Sequence, residues 1–484
     1  DNNKVANDVV VNHNDYIAYA YYQTAPGGIN DGLRVWLNAA EENVDVSGDN
    51  VDVWRDLTSH GNDYSVAAVD FSDKTNPKYW KAYGLMNYQP AVSFDLTSYL
   101  AIAGNGSSIS KPMSTDAPSG FTSFVLYYSA PSTKSTYYTH GFGSTDPRST
   151  TNRYPAMGFD AADKQGRIRN NGSGQTDNNG TLAGFSDNST NLQMIRTTKA
   201  NGVNNAGTIV YDFGGWQDYL SPTGEFGDGF KMANGGTLGG ASRASGSFVG
   251  QISEVIFYEK ALSKVEEDRV RTYLGMKYGI TLDQDKINPY PNYDYILSDN
   301  KTKVWQGNQS PNFAYHNNVF GLVRDDSQGL NLFRSRATTY DGIITLMTEG
   351  SNLSGENGAQ FDNLNGLFVG DDKGPLTSQN LTGANVCGEI DETLSQGRIW
   401  LAENTSENMS SPTPKTVTLS VGGGMFPYDG GGYQVYLLVA DNIAKLRSNQ
   451  WDQIIPMNYT NETTQSQFGS HQVDFTFYGK NKYF

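Results

Sequence analysis

A single helical segment stands in a chain otherwise written in short strands, and it constrains the fold more than any other feature. Residues 262–279 read Leu-Ser-Lys-Val-Glu-Glu-Asp-Arg-Val-Arg-Thr-Tyr-Leu-Gly-Met-Lys-Tyr-Gly. Ser263 and Glu266 form a Ser-x-x-Glu capping box, in which each side chain satisfies a backbone N–H at the helix start. Gly279 falls where a left-handed residue stops a helix. Val270, Tyr273, Leu274 and Tyr278 recur at helical spacing and give one stripe to bury. Because the segment follows directly on the strand ending at Tyr258, it is expected to close one domain and pack against it.

Around this helix the pattern is β. Gly32-Leu-Arg-Val-Trp-Leu37 alternates, with Leu33, Val35 and Leu37 on one face and Arg34 and Trp36 on the other. Strands are expected at 90–94, 121–128, 207–213 and 250–258, separated by Gly- and Asn-rich turns as in an antiparallel sandwich. The polar stretch 170–191 reads as a long surface loop. Pro26-Gly-Gly28 reads as a boundary after an N-terminal strand and linker, 1–25. A Pro- and Asn-containing linker at 283–292 leads into further strands at 319–323, 343–347, 366–369, 398–401, 417–421, 433–439 and 473–477. The domains expected are therefore 26–282, closed by its helix, and 293–484. The chain stops within a strand pattern at Phe484, which reads as a fragment of something longer.

The 484 residues carry 35 Lys+Arg against 51 Asp+Glu, a formal charge of −16, so phosphate-rich partners such as nucleic acid or anionic lipid are disfavoured. Only 18% of residues are charged, while aromatics reach 12%, which supports a sizeable core rather than disorder. The single cysteine, Cys387, excludes an intramolecular disulfide framework. No apolar run reaches the ~18–20 residues of a membrane-spanning helix, and no signal peptide precedes Asp1. Little Lys with much Asn, Gly and Tyr leans towards an exported bacterial protein. Asn-x-Ser/Thr sequons, as at Asn105, Asn179 and Asn404, do not by themselves establish glycosylation.

Five stretches carry a resemblance. Gly32–Leu37, Val53-Trp-Arg-Asp-Leu-Thr-Ser-His-Gly-Asn-Asp63 and Gln89-Pro-Ala-Val-Ser-Phe-Asp95 resemble the opening of a LamG-like, concanavalin-type jelly roll of large secreted and surface-attached bacterial proteins. Gly250–Tyr258 with the following helix to Leu282 is similar to that module's final strand and closing helix. Asn317–Leu330, with its Arg324-Asp-Asp326, resembles an uncharacterised β domain that often follows. The resemblance implies an all-β pair of domains, usually non-catalytic parts of adhesins or multidomain secreted enzymes, that bind carbohydrate or protein or act as scaffolding.

Glu389-Ile-Asp-Glu392 is the sharpest enzymatic candidate, because paired carboxylates on one strand can serve a glycosidase cleft. Glu389 and Asp391 would share a face but Glu392 would not, and a solvated loop is the simpler reading. His13, His60, His140, His316 and His471 lack zinc-site spacing. Calcium needs several oxygens from one or two loops; Asp45, Asp49, Asp52 and Asp56, and the pairs Asp325–Asp326 and Asp371–Asp372, are the acidic clusters on offer. Their plainer reading is capped turns, with Arg324 forming an ion pair beside Asp325 and Asp326. Sugar binding needs an aromatic platform with amides or carboxylates nearby. Tyr137, Tyr138 and His140, and Trp216, Asp218 and Tyr219, are two loop-proximal groups of that composition, each equally open to ordinary rim packing.

The leading expectation is a non-enzymatic extracellular or cell-surface module of a larger bacterial protein that recognises glycan or another surface ligand, with structural calcium as an option. A structural spacer displaying a neighbouring domain and a polysaccharide-degrading enzyme are the alternatives.

Overall fold

The computed structural model describes residues 24–67, 75–102, 120–129, 189–198, 236–239, 248–282, 294–307, 309–339, 341–351, 358–376, 397–405, 415–422, 434–459 and 471–484. For 5–7, 20–21, 136–142, 156–160, 165–171, 175–181, 209–213, 216–220, 378–380 and 394–396 it describes the strands only as backbone. The chain divides into two compact units, Ile29–Arg271 with Asp1–Asn3, and Thr272–Phe484 with Lys4–Gly28. The division falls inside the helix; the 283–292 segment expected as a linker lies outside the described residues.

The fold is all-β, and every strand pairing described is antiparallel. In the first unit one layer runs, in order, Leu33–Asn38, Gly250–Tyr258, Gly120–Ser129, Thr190–Thr198, Ile209–Phe213 and Trp216–Leu220. The other runs Val44–Ser47, Asn50–Trp54, Tyr64–Ser65, Leu100–Ile102, Gly236–Leu238, Thr136–Phe142, Ala156–Asp160, Gln165–Asn171 and Gln175–Thr181. Their apolar sides meet in one core, with Val35, Leu37, Val125, Tyr127, Val255 and Phe257 from one layer and Trp54, Tyr64, Leu100, Ile102 and Leu238 from the other. A hairpin of Lys78–Tyr83 and Gln89–Phe94 extends the first layer by pairing with Gly250–Ile252.

The strand Gly250–Tyr258 shows how sequence periodicity is reset locally. Ile252 and the pair Val255 and Phe257 all enter the core, although strict alternation would send Ile252 to the opposite face. A bulge at Ser253 absorbs the mismatch: Leu126 pairs with Glu254 and Tyr127 with Ile252, skipping Ser253. The extra residue is held by two bonds, Ser253 Oγ donating to Pro90 O at 2.8 Å and Ala39 N donating to Ser253 O at 3.0 Å.

Trp36, expected opposite Val35 and Leu37, does face the other way, but that side is buried as well. Trp36 is 3% exposed and its indole N–H donates to Glu254 Oε1 at 2.7 Å. The 170–191 loop expectation is corrected: Gln165–Asn171 and Gln175–Thr181 form a seven-pair hairpin in that region. A ladder of backbone hydrogen bonds does not need apolar side chains, so composition alone misread it.

The Val53–Asp63 motif has a physical core in Asp56. Its carboxylate accepts from Trp36 N (3.0 Å), Thr58 N (3.1 Å), Thr58 Oγ1 (2.7 Å) and Asn62 N (3.0 Å), while Asp56 N donates to Asp63 Oδ1 at 2.8 Å. Asn62 Nδ2 then ties the loop to Arg34 O at 2.8 Å. One buried side chain thus folds the whole turn onto the strand Leu33–Asn38.

The helix spans Lys264–Tyr278, and both expected caps form. Ser263 N donates to Glu266 Oε2 at 2.8 Å and Glu266 N donates to Ser263 Oγ at 3.4 Å. At the other end Gly279 has φ +61°, with Ile280 N donating to Gly275 O (2.9 Å) and Gly279 N to Met276 O (3.4 Å), the two bonds of a Schellman stop. The expected stripe, Val270, Tyr273, Leu274 and Tyr278, is buried. The charged side is buried too: Glu267 pairs with Arg196 of the sheet at 2.8 Å, and Asp268 pairs with Lys264 and Arg271. Ion pairing makes burial of that second face tolerable.

The second unit is a sandwich of two five-stranded sheets. One runs Leu330–Asn331, Asn317–Asp325, Asn365–Asp371, Trp400–Asn404, Asn481–Tyr483; the other Arg334–Arg336, Ile344–Thr348, Lys415–Val421, His471–Phe477, Asn458–Tyr459. Phe320, Leu322, Leu367 and Val369 of the first sheet meet Leu346, Leu419, Val473 and Phe475 of the second in a single core. The outer side of the first sheet carries an aromatic cover. Tyr295 and Trp305 come from the hairpin Asp294–Ile296 with Lys303–Gln306, and Tyr315 from the short turn Asn312–Tyr315. Glycine makes the seat: a Cβ at Gly370 would lie 2.1 Å from Tyr315 O and 2.9 Å from the Trp305 ring.

Candidate functional site

The strand register of the first unit assembles a polar and aromatic row that no single sequence motif announces. Tyr79 points inward, packing on the core and donating its hydroxyl to Ala39 O at 3.0 Å. Its neighbours Lys78 and Trp80 therefore face outward. Cross-strand partners share a face, so the pairings Asn50↔Lys78, Lys78↔Ser93, Ser93↔Gln251 and Gln251↔Tyr128 place five side chains in one line across four strand boundaries. Trp80 stands beside that line, opposite Ala91.

Lys78 and Trp80 are the exposed members of this group, and Asn50, Ser93, Gln251 and Tyr128 are half-buried. Trp80 is 47% exposed, whereas Trp36 and Trp54 are buried. The cross-strand partner of Trp80 is the small Ala91. Gln251 Nε2 donates to Ser93 Oγ at 3.2 Å, and Gln251 Oε1 finds no hydrogen-bond donor. Lys78 Nζ donates to Asn50 Oδ1, and Lys81 pairs with Glu41 at 2.8 Å. Partial burial pushes the Tyr128 phenol above its usual value, so it is a neutral hydroxyl at physiological pH. An aromatic face with an amide, a hydroxyl and an ammonium alongside can stack on an apolar ring face and bond the hydroxyls at its rim.

The sequence-derived aromatic groups lie elsewhere and apart. Tyr137, Tyr138 and His140 sit within the strand Thr136–Phe142, where Tyr138 pairs with Gly158 and His140 with Met157 and Leu238. Trp216, Asp218 and Tyr219 sit in Trp216–Leu220, paired with Phe213, Tyr211 and Val210 at the end of the other layer. Both groups lie on strands, and their side chains lie outside the described residues.

The remaining candidates resolve as follows. Glu389, Asp391, Glu392 and Cys387 lie outside the described residues, as does His13. Arg324 clasps Asp326 as a two-bond fork, Nε to Oδ1 at 2.8 Å and Nη2 to Oδ2 at 3.0 Å, as the plainer reading expected. Asp325 turns the other way and accepts from Ser298 N (2.7 Å), Ser298 Oγ (2.6 Å) and Gln328 Nε2 (2.7 Å). Asp371 binds Asn318 Nδ2 at 2.6 Å and Arg398 at 3.3 Å; Asp372 accepts from Gly374 N and Ile399 N. Asp45 pairs with Arg55, and Asp52 accepts from Ser47 and Asn76. Among the described residues no three His, Cys, Asp or Glu side chains gather as a metal cluster would require.

Comparison with known proteins gives limited context. Residues 266–476 match a domain of unknown function, DUF8202. No curated protein matches the chain. Among solved structures, domain 4 of AbnA, an extracellular arabinanase from Geobacillus stearothermophilus, is similar at 15% identity and TM-score 0.31, over 50% of this chain and 98% of that one. Trypanosoma rangeli sialidase is similar at 11% identity and TM-score 0.32, over 50% of this chain and 33% of that one. The CBM40 of the Ruminococcus gnavus IT-sialidase matches at 14% identity and TM-score 0.24, over 32% of this chain and 83% of that one. The family match therefore covers the helix from Glu266 onward and most of the second unit.

Proposed function

We propose that the chain is a non-catalytic, extracellular glycan-binding module of a larger bacterial protein, its first unit a LamG-like sandwich that uses its outer face for recognition. The observation that supports this reading is Trp80, half exposed on a regular strand and flanked by Lys78, Ser93 and Gln251 in fixed register. A large ring held rigid in solvent pays little conformational entropy on binding, because its strand already fixes it. The partners accept and donate hydrogen bonds but include no carboxylate pair, which suits holding a sugar rather than cleaving it.

A glycan array followed by calorimetry, with and without calcium, tests the reading. The wild-type chain is expected to bind one or more neutral glycans, Trp80→Ala to lose at least tenfold in affinity, and Gln251→Ala a smaller factor. Binding that survives Trp80→Ala and disappears on replacing Trp216 or Tyr137 and Tyr138 would move the site to the sequence-derived groups. No binding to any glycan would sink the proposal, and glycan cleavage would replace it with an enzyme.

A further inference from the structure

The second unit holds a second constellation, far simpler in composition and sharper in chemistry. Glu403 lies on the outer side of Trp400–Asn404, since Trp400 and Ala402 take the core side. It is 3% exposed, beneath the aromatic cover of Trp305 and Tyr315. Two side chains reach its carboxyl from different parts of the chain. Asn312, itself 3% exposed at the start of the turn 312–315, donates through Nδ2 to Oε2. Lys480, just ahead of the last strand, brings Nζ to 3.5 Å from Oε1. Burial pushes the Glu403 carboxyl above the ordinary range, with the Asn312 and Lys480 contacts pulling the other way.

An amine, a carboxamide and a buried carboxyl able to carry a proton are the three parts of an acyl transfer within the protein. We propose that Lys480 and Asn312 become joined by an amide bond between their side chains, with Glu403 as the proton-transfer residue. Asn312 can present its carbonyl oxygen to a protonated Glu403 by a flip of the amide, which exchanges O and N without moving the chain. The unprotonated Lys480 amine then adds to Cγ of Asn312 while the Glu403 proton neutralises the developing oxyanion. Glu403 next removes a proton from the new nitrogen and hands it to the leaving Nδ2. The Cγ–Nδ2 bond breaks, ammonia departs, and as the carbonyl reforms its hydroxyl proton returns to Glu403, which ends protonated as it began. One N–C bond forms, one breaks, and no oxidant or cofactor is needed.

The bond would have a mechanical role. Asn481–Tyr483 is a terminal strand of three residues held on Leu401–Glu403 and, through Tyr483, on Ala440, with Lys480 just ahead of it. Joining Lys480 to Asn312 ties that strand covalently to the turn before Asn317–Asp325, so it cannot be peeled away without breaking a covalent bond.

Intact-mass measurement of the folded 484-residue chain after prolonged incubation is the test. The expected result is a mass short of the sequence mass by one ammonia, with a protease-derived peptide pair linking Asn312 to Lys480. Glu403→Ala, Asn312→Ala and Lys480→Arg are each expected to restore the full mass. Lys480→Arg preserves the ion pair with Glu403, so its folding, checked by circular dichroism, separates loss of the bond from loss of structure. A folded wild-type chain with the full sequence mass overturns the proposal. So does an ammonia loss that maps to a succinimide at one of the Asn-Gly sites, such as Asn171-Gly172, or one that persists in folded Lys480→Arg.

Discussion

Two buried carboxyl sites, Asp56 in the first unit and the Asp371 and Glu403 region of the second, are held in different ways. In the first, Asp56 is satisfied mainly by backbone N–H groups of Trp36, Thr58 and Asn62. In the second, Asp371 is met mainly by the side chains of Asn318 and Arg398, with one backbone N–H from Lys373, and Glu403 by the side chains of Asn312 and Lys480. Backbone donors cannot move without unfolding the loop, so Asp56 is a peg. Side-chain donors have rotamers and can exchange partners or protons, so the second arrangement leaves room for chemistry. Burial raises the proton affinity of Asp56, Asp371 and Glu403 alike. What differs is what can answer when a proton arrives.

Removing the peg should have the largest effect. Asp56→Ala strands three backbone donors, and is expected to cost about 4 kcal/mol in denaturant unfolding of the first unit. A loss below about 1 kcal/mol would show that water replaces the carboxylate freely and that the loop is not held by it.

Next comes the side-chain case. Arg398→Met leaves Asp371 buried without its cation, at a cost of about 3 kcal/mol near neutral pH. Here the sign of the pH dependence discriminates. The Asp371 carboxyl binds its proton more tightly folded than unfolded, and loss of Arg398 strengthens that. The folded state therefore gains relative stability as pH falls through the raised value towards the ordinary carboxylate range, and loses it as pH rises. The Arg398→Met deficit should accordingly shrink on acidification; a deficit constant from pH 7 to pH 4 would contradict it. Asp299 and Asp95 work in the opposite sense: although burial opposes it, turn N–H and hydroxyl donors hold both carboxyls low, so their contribution fades as pH falls.

Gly279→Ala isolates backbone geometry from charge. With φ +61° at the helix stop, it should cost about 1 kcal/mol and show no pH dependence, which melting at two pH values checks. Smallest of all, Trp80→Ala should change stability by less than about 1 kcal/mol while removing glycan affinity. A large destabilisation would make Trp80 a packing residue instead.

Much of the architecture was legible because its signals are local. Ser263, Glu266 and Gly279 sit within one helix length of each other, and the strand 250–258 was read to the residue. Trp80 was not legible, since nothing in Lys-Tyr-Trp-Lys distinguishes it from the buried Trp36 or Trp54; only the inward turn of Tyr79 sets its face. The Ser253 bulge was equally silent, being visible only against the partner strand. Asn312, Glu403 and Lys480 carry no mutual signal in sequence, because three separate returns of the chain bring them together.

The route by which the second sandwich fills has a consequence for how it is made. Along one sheet the strands Asn317–Asp325, Asn365–Asp371, Trp400–Asn404 and Asn481–Tyr483 are neighbours in the order of synthesis. That sheet can grow one strand at a time as a nascent chain lengthens. Its final seat stays open until the end: Trp400 exchanges backbone bonds with Phe484 and stacks on its ring at 6.1 Å. Until translation has passed residue 484, the Trp400–Asn404 edge stays unpaired, an open edge of the kind that pairs with other chains.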